Sequence, residues 1–251
     1  MNDEEIAKIA RTSSGRLDMW VKTVAAMHAK RVLEVGVWKG DYSAELLRNC
    51  PNISTYLMID PWRHIDQWNK PFNVNQKTFE DIYASAMETT AFAAQKRKVL
   101  RGTTIEVSKQ IENSSIDFAY IDGDHTLRGI VVDLINIRGK VRPGGIIGGD
   151  DFSADIWQHT KDYEPTLVFP FAVHFAEANR LKIMALPYNQ FAILIPEPAE
   201  TPVFQFIDLT SKYKDTGLLG QMYGTKQEAI FWLKRNLPGS VKRALRQLRP
   251  R

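Results

Sequence analysis

Five acidic or imidazole side chains crowd into two short stretches: Asp122, Asp124 and His125 in IDGDHTLRG (121–129), and Asp150 and Asp151 in IIGGDDF (146–152). Each stretch closes an apolar run. Carboxylates gathered this densely would repel and raise one another's pKa. A divalent cation at Asp122, Asp150 and Asp151 removes that conflict. An all-oxygen set suits Mg²⁺ or Ca²⁺; zinc would call for cysteine or a histidine pair. Mg²⁺ keeps waters that a substrate oxygen can replace, and it favours an ionised hydroxyl. Asp124 or His125 would then take the hydroxyl proton as it leaves. A plainer reading stands beside this one. Asp122 and Asp124 could form a turn or cap a helix beginning near Thr126, and Asp150 and Asp151 could do the same for the next helix.

The elements around these residues decide whether they meet. Residues 3–29 read as helix in two pieces, with SSG at 13–15 between them. RVLEVGV (31–37) and STYLMID (54–60) read as buried strands, with DYSAELLRN (41–49) as the helix between them. A polar-aromatic connection over 61–76 leads to a helix ending near 95, then the strand-like KVLRG (98–102) and a short helix at 104–111. SSIDFAYIDG (114–123) carries the fourth strand, and Ile130, Leu134, Ile137 and Val141 recur at helical spacing. RPGG is expected to stop that helix, leaving a fifth strand of four or five residues within 144–151. This alternation predicts an α/β fold: a Rossmann-like, doubly wound, mostly parallel sheet with helices on both faces. RLKIMALPY (180–188) and QFAILIPE (190–197) predict a final antiparallel hairpin, and 198–222 is ambiguous. Ligands on such sheets bind beyond the carboxyl ends of the strands, where all five residues lie.

LEVGVWKGDYS (33–43) places Glu34, Gly36 and Gly40 around the first strand-to-helix turn. A dinucleotide fingerprint wants a second glycine where Trp38 stands, and a P-loop wants a G-K-[ST] that does not follow. The turn suits a nucleoside ligand without phosphates, with Asp60 at the end of strand two accepting ribose hydroxyls. The glycines could also serve the turn alone.

LEVGVWKG, YLMID, SSIDFAYIDGDH and VRPGGIIGGDDF together resemble, in order, the motifs of class I S-adenosylmethionine-dependent methyltransferases, over roughly residues 30–197. The resemblance implies that Glu34, Gly36, Gly40 and Ser43 surround the methionine part of S-adenosylmethionine. It implies that Asp60 binds the ribose, that Gly102, Thr103 and Thr104 lie near adenine, and that Asp122 borders the cofactor. The pattern is similar to a narrower group, the metal-dependent O-methyltransferases acting on sugars of macrolide and aminocoumarin antibiotics. It implies Mg²⁺ on Asp122, Asp150 and Asp151, Asp124 or His125 as base, and a small-molecule or saccharide acceptor. The other readings are a metal-independent small-molecule methyltransferase and a non-catalytic binding protein on the same fold.

The formal net charge of +4 invites a nucleic-acid partner. From Lys226 to Arg251, however, stand eight Lys/Arg against one Glu, and the remainder holds 25 basic and 28 acidic residues. The basic character belongs to the tail, so no nucleic acid is expected. One domain over 1–222 is expected, followed by a basic amphipathic helical tail over 223–251, with Val241, Leu245 and Leu248 beside Lys242, Arg243, Arg246 and Arg249. Such a face suits peripheral contact with an anionic membrane or packing on a second copy of the chain. The single cysteine, Cys50, and the missing signal-peptide pattern suggest the cytoplasm, up to its membrane surface.

Overall fold

The computed structural model describes residues 1–160, 162–213, 232, 233, 235–238 and 241. The sheet order is β3-β2-β1-β4-β5-β7-β6-β8. Its parallel part is β1 (Arg31–Val35), β2 (Thr55–Asp60), β3 (Arg97–Arg101), β4 (Ile116–Ile121) and β5 (Val141–Gly149). The predicted hairpin, β6 (Lys182–Leu186) and β7 (Gln190–Leu194), is antiparallel and joins β5 through β7. β8 (Gln205–Asp208), in the segment the sequence leaves ambiguous, pairs in parallel with β6.

Both faces are covered, and side-chain parity assigns each residue to a face. Val32, Tyr56, Met58, Phe118, Tyr120 and Ile146 enter one core, with Trp20 of α2 (Arg16–Ala26) and Leu46 of α3 (Asp41–Asn49). Leu33, Leu57, Ile59, Ala119, Ile121 and Ile147 enter the other, with Ile130 and Leu134 of α6 (Leu127–Arg138) and Phe169 of α7 (Val168–Ala178). α1 (Asp3–Thr12), α4 (Gln76–Thr89) and the short α5 (Thr104–Val107) are the other α-helices within residues 1–213. Parity then carries past the strand ends. Glu34, Asp60, Asp122 and Asp150 share the parity of the α2 and α3 face, and Asp151 takes the other.

The fifth strand departs from expectation. The helix ends at Arg138, and RPGG lies inside a nine-residue β5. Its register against β4 shifts between Ile116 and Phe118. Such a bulge accommodates a proline that lacks a ladder donor. At Gly144 φ is +70°, and its N–H reaches the Ile195 carbonyl at 2.9 Å.

The boundary expected at 222/223 and most of the tail's basic face fall outside the described residues. Among those described, Trp232, Leu233 and Val241 are exposed, and the Arg235 guanidinium lies 4.1 Å from the Trp157 ring centroid. No helix among the described residues is long and apolar enough to cross a membrane.

Candidate active site

A cavity of about 710 Å³ opens at the carboxyl ends of β1, β2 and β4. Its wall includes Glu34, Gly36, Trp38, Asp60, Gly102, Thr103 and Thr104. Asp122, Asp124, His125 and Asp151 border it as well. The sequence reading thus gathers most of its candidates at one place. Gly40, Ser43 and Asp150 are outside the lining.

The first turn is built by Asp60. Its Oδ2 accepts the backbone N–H of Val37 and of Trp38, each at 3.0 Å, and its Oδ1 accepts that of Trp62 at 2.8 Å. The turn's donors are therefore spent on a carboxylate and are not offered to a phosphate. A carboxylate has about four acceptor sites, so Asp60 keeps about one for a ribose hydroxyl, not two. Trp38 holds a left-handed φ of 54°, and its indole meets Phe72 and Phe79 edge-on.

Glu34 points by parity toward α3. There it accepts the Ser43 hydroxyl and, at 2.7 Å, the Tyr56 hydroxyl. Burial pushes its carboxyl up to about 8, against those two hydrogen bonds. Ser43 is consumed by this contact and is not part of the cavity wall, whereas Tyr42 is. The Tyr42 ring stacks on Tyr120, with centroids 4.1 Å apart, and its buried hydroxyl has no hydrogen-bond partner among the described residues. Such orphans are uncommon.

At the third-strand end, the Thr103 hydroxyl and N–H both donate to Glu106 in a capping box. The Thr104 hydroxyl donates to Asp133 at 2.5 Å. Asp133, which also lines the cavity, is pushed up to about 7 by burial. It lies away from the strand-end motifs. Its signal is an acid three residues after Ile130 on the inward face of an amphipathic helix. Lys70, from the connection after β2, reaches the Gly123 carbonyl at 3.3 Å and stands 3.8 Å from Asp124 Oδ1. Burial lowers its pKa.

The carboxylates converge as expected, yet their charge is met by side chains. Arg16, the first residue of α2, places Nη1 on Asp150 Oδ2 and 3.5 Å from Asp122 Oδ2. His125 bridges the other side, with Nε2 3.2 Å from Asp122 Oδ1 and Nδ1 on Asp151 Oδ2. Asp150 Oδ1 accepts both the Gln190 amide and the Asp151 N–H. Among the described residues, no group of three or more His, Cys, Asp or Glu is arranged to hold a metal ion. The predicted Mg²⁺ ligands Asp122, Asp150 and Asp151 therefore do not fit a cation as placed. Their oxygens already point at a guanidinium and an imidazole. Nothing in the local sequence announces Arg16, which follows an ordinary SSG break.

Of the two candidate bases, Asp124 turns Oδ1 to the Thr126 N–H at 3.1 Å, and Thr126 caps α6. The turn-forming reading thus holds for one of its oxygens, while the cap itself is Thr126. His125 sits between two carboxylates. Burial alone would lower its pKa, but hydrogen bonds and charge from Asp122 and Asp151 raise it to about 10. At neutral pH it is a cation and holds a proton.

That shift makes a stability prediction. A raised folded-state pKa stabilises fully below the ordinary value of about 6.5, and the contribution disappears as pH climbs toward about 10. With 27% of the side chain exposed, solvent screening trims the effect. Urea unfolding should find wild type more stable than His125→Gln by about 2–3 kcal/mol at pH 6, with most of that gap gone at pH 10. A gap independent of pH would refute the bridged imidazolium.

Residues 33–152 match a family model described as a methyltransferase domain. The uncharacterized protein y4gI of Sinorhizobium fredii (strain NBRC 101917 / NGR234) is 24% identical over 165 residues, 62% of this chain. The match spans only 18% of that relative's length. A putative O-methyltransferase from Klebsiella pneumoniae superposes with a TM-score of 0.53 at 17% identity, covering 78% of this chain and 91% of that one. The S-adenosylmethionine-bound O-methyltransferase TomG from Streptomyces achromogenes, involved in tomaymycin synthesis, gives 0.52 at 16% identity, with 78% and 91% covered. The S-adenosylhomocysteine-bound methyltransferase PaMTH1 of Podospora anserina gives 0.52 at 17%, with 78% and 89% covered. Residues 33–152 are thus similar to a methyltransferase domain, and the chain has the class I S-adenosylmethionine-dependent methyltransferase fold.

Proposed function

We propose that this chain, through its methyltransferase domain, moves a methyl group from S-adenosylmethionine to a hydroxyl oxygen of a small molecule, saccharides included, without a divalent cation. One observation carries the reading: a cavity at the carboxyl ends of the central strands whose wall joins Glu34, Gly36, Asp60, Thr103, Thr104 and Asp122. The cavity volume falls within the usual range for ligand sites, about 300–1,000 Å³.

The sulfonium supplies an electrophilic methyl carbon. The chain's residues would bind and orient around it. Gly36 and Asp122, at the ends of β1 and β4, border the amino-acid end. Asp60 offers its remaining acceptor site to a ribose hydroxyl. Thr103, Thr104 and Asp133 form a polar edge suited to adenine. Proton acceptance falls to Asp124, because the doubly held His125 already carries its proton. Asp124 Oδ2 makes no hydrogen bond among the described residues, and Asp124 is part of the cavity wall. The resemblance to macrolide and aminocoumarin sugar O-methyltransferases supports a saccharide acceptor. It extends to the three carboxylates and stops at the cation, where Arg16 stands.

Calorimetric titration with S-adenosylhomocysteine tests the reading. Wild type should bind. Asp60→Asn should bind about 10-fold more weakly or worse, because the ribose acceptor and the turn built on it both depend on the carboxylate. No binding by wild type would sink the assignment. Binding without methyl transfer to any hydroxylated acceptor would favour a non-catalytic binding protein.

A further inference from the structure

A divalent cation between neighbouring carboxylates does two jobs. It cancels their charge, and it presents a positive centre to a substrate oxygen. Both jobs have a protein candidate here. Asp122 and Asp150 share the parity that directs them toward α2, and the residue that α2 supplies is Arg16. Its Nη1 bonds Asp150 and approaches Asp122 at 3.5 Å, and its side chain, 37% exposed, is part of the cavity wall.

The anchor is rigid. Asp150 is held by the Gln190 Nε2 amide. The orientation of that amide is fixed, because Gln190 Oε1 accepts Trp20 Nε1 and the Tyr120 hydroxyl, each at 2.8 Å. Trp20 lies one helical turn beyond Arg16 in α2, so one helix is pinned to the strand ends at two points. Gly148 of β5 leaves the space for this. A Cβ there would fall 2.5 Å from the Trp20 ring. A guanidinium has five N–H donors, and the carboxylates need only part of that set. A second cation placed beside it would meet both its charge and oxygens already committed to it.

We propose that Arg16 stands in for the divalent cation in this chain: held by Asp122 and Asp150, its guanidinium receives the acceptor oxygen. The inference rests on the methyl-transfer reading. In that step the acceptor O–H gives its proton to Asp124, and the oxygen forms a bond to the methyl carbon. The carbon–sulfur bond breaks with its electron pair going to sulfur, leaving a neutral thioether.

The test needs no known acceptor. Mn²⁺ is titrated into the full chain with S-adenosylhomocysteine present and followed by electron paramagnetic resonance. Wild type should show no specific site. Arg16→Ala should unmask the carboxylates and gain Mn²⁺ affinity by at least about tenfold. The double variant Arg16→Ala, Asp150→Asn should lose that gain. A single tight Mn²⁺ site in wild type that Asp122→Asn abolishes would overturn the proposal. So would an Arg16→Ala variant with native circular dichroism and no gain. The wild-type titration stands whether or not the variants fold. S-adenosylhomocysteine binding is measured separately by calorimetry. Its failure would remove the methyl-transfer reading and leave the cation replacement to be decided by the Mn²⁺ titration.

Discussion

Replacing Gly36 with alanine should destabilise the protein by about 3–5 kcal/mol and take cofactor binding with it. Gly36 has φ +87°, where an L side chain is strained by about 1–2 kcal/mol. The larger part of the cost is contact. A Cβ at Gly36 would sit 2.0 Å from the Asp122 carbonyl oxygen, 2.4 Å from its carbon and 2.7 Å from the Gly123 nitrogen. These are backbone atoms, so no side chain can rotate away. The ends of β1 and β4 would have to part, against the bond from Asp122 N–H to the Val35 carbonyl at 2.8 Å. The same movement would displace the Asp122 carboxylate from Arg16 and His125. Gly15→Ala is the matched control, since φ is −176° there and no atom lies within 4 Å of the added carbon. Denaturant unfolding of both variants measures the difference. A loss below about 1 kcal/mol for Gly36→Ala would mean that the strand ends yield more easily than the packing implies. Gly36 thus serves the close approach of β1 and β4, and the ligand benefits indirectly.

Asp150→Asn should lower methyl transfer by about 100- to 1,000-fold while leaving S-adenosylhomocysteine affinity within about threefold of wild type. Both carboxylate oxygens of Asp150 act as acceptors. Oδ1 takes the Gln190 amide and the Asp151 N–H, and Oδ2 takes Arg16. Asparagine offers one acceptor and one donor. Gln190 cannot flip without giving up its bonds from Trp20 and Tyr120. The carbonyl of the introduced asparagine must therefore face Gln190, and its NH₂ must face the guanidinium, donor against donor. The strain falls on Arg16, while the residues that would hold the cofactor are untouched. Burial and the nearby Asp122 and Asp151 push the Asp150 carboxyl up to about 6, so mild acid should weaken the same anchor. Transfer of labelled methyl from S-adenosylmethionine to a panel of phenols and saccharides reads turnover, and calorimetry reads binding. Equal loss of both would show that Asp150 supports the cofactor region and not the acceptor oxygen alone.

The sequence is most legible where structure is local. The helix read at 41–49 is the helix observed, because Gly40 before it and the periodic apolar positions within it act over a few residues. The strands ending at Asp60 and Ile121 follow from continuous apolar runs, which a sheet covered on both faces requires. RPGG is misread for a related reason. Local rules make proline and glycine a stop, whereas a β-bulge paired to a distant strand absorbs them into β5.

From the order of its strands and the acids that close them, the sequence determined the doubly wound sheet, the edge of it that holds the site, and the convergence of Asp122, Asp150 and Asp151. The tertiary structure decided what answers those charges. Arg16 lies 134 residues from Asp150 along the chain, and Gln190 lies 70 from Tyr120. Periodicity tells which face of a strand a residue takes; which helix is laid across that face, and which of its side chains arrives there, depends on packing summed over the whole core. A carboxylate cluster in a sequence is thus a statement about charge that must be balanced, and only the folded chain specifies whether a metal ion or an arginine balances it.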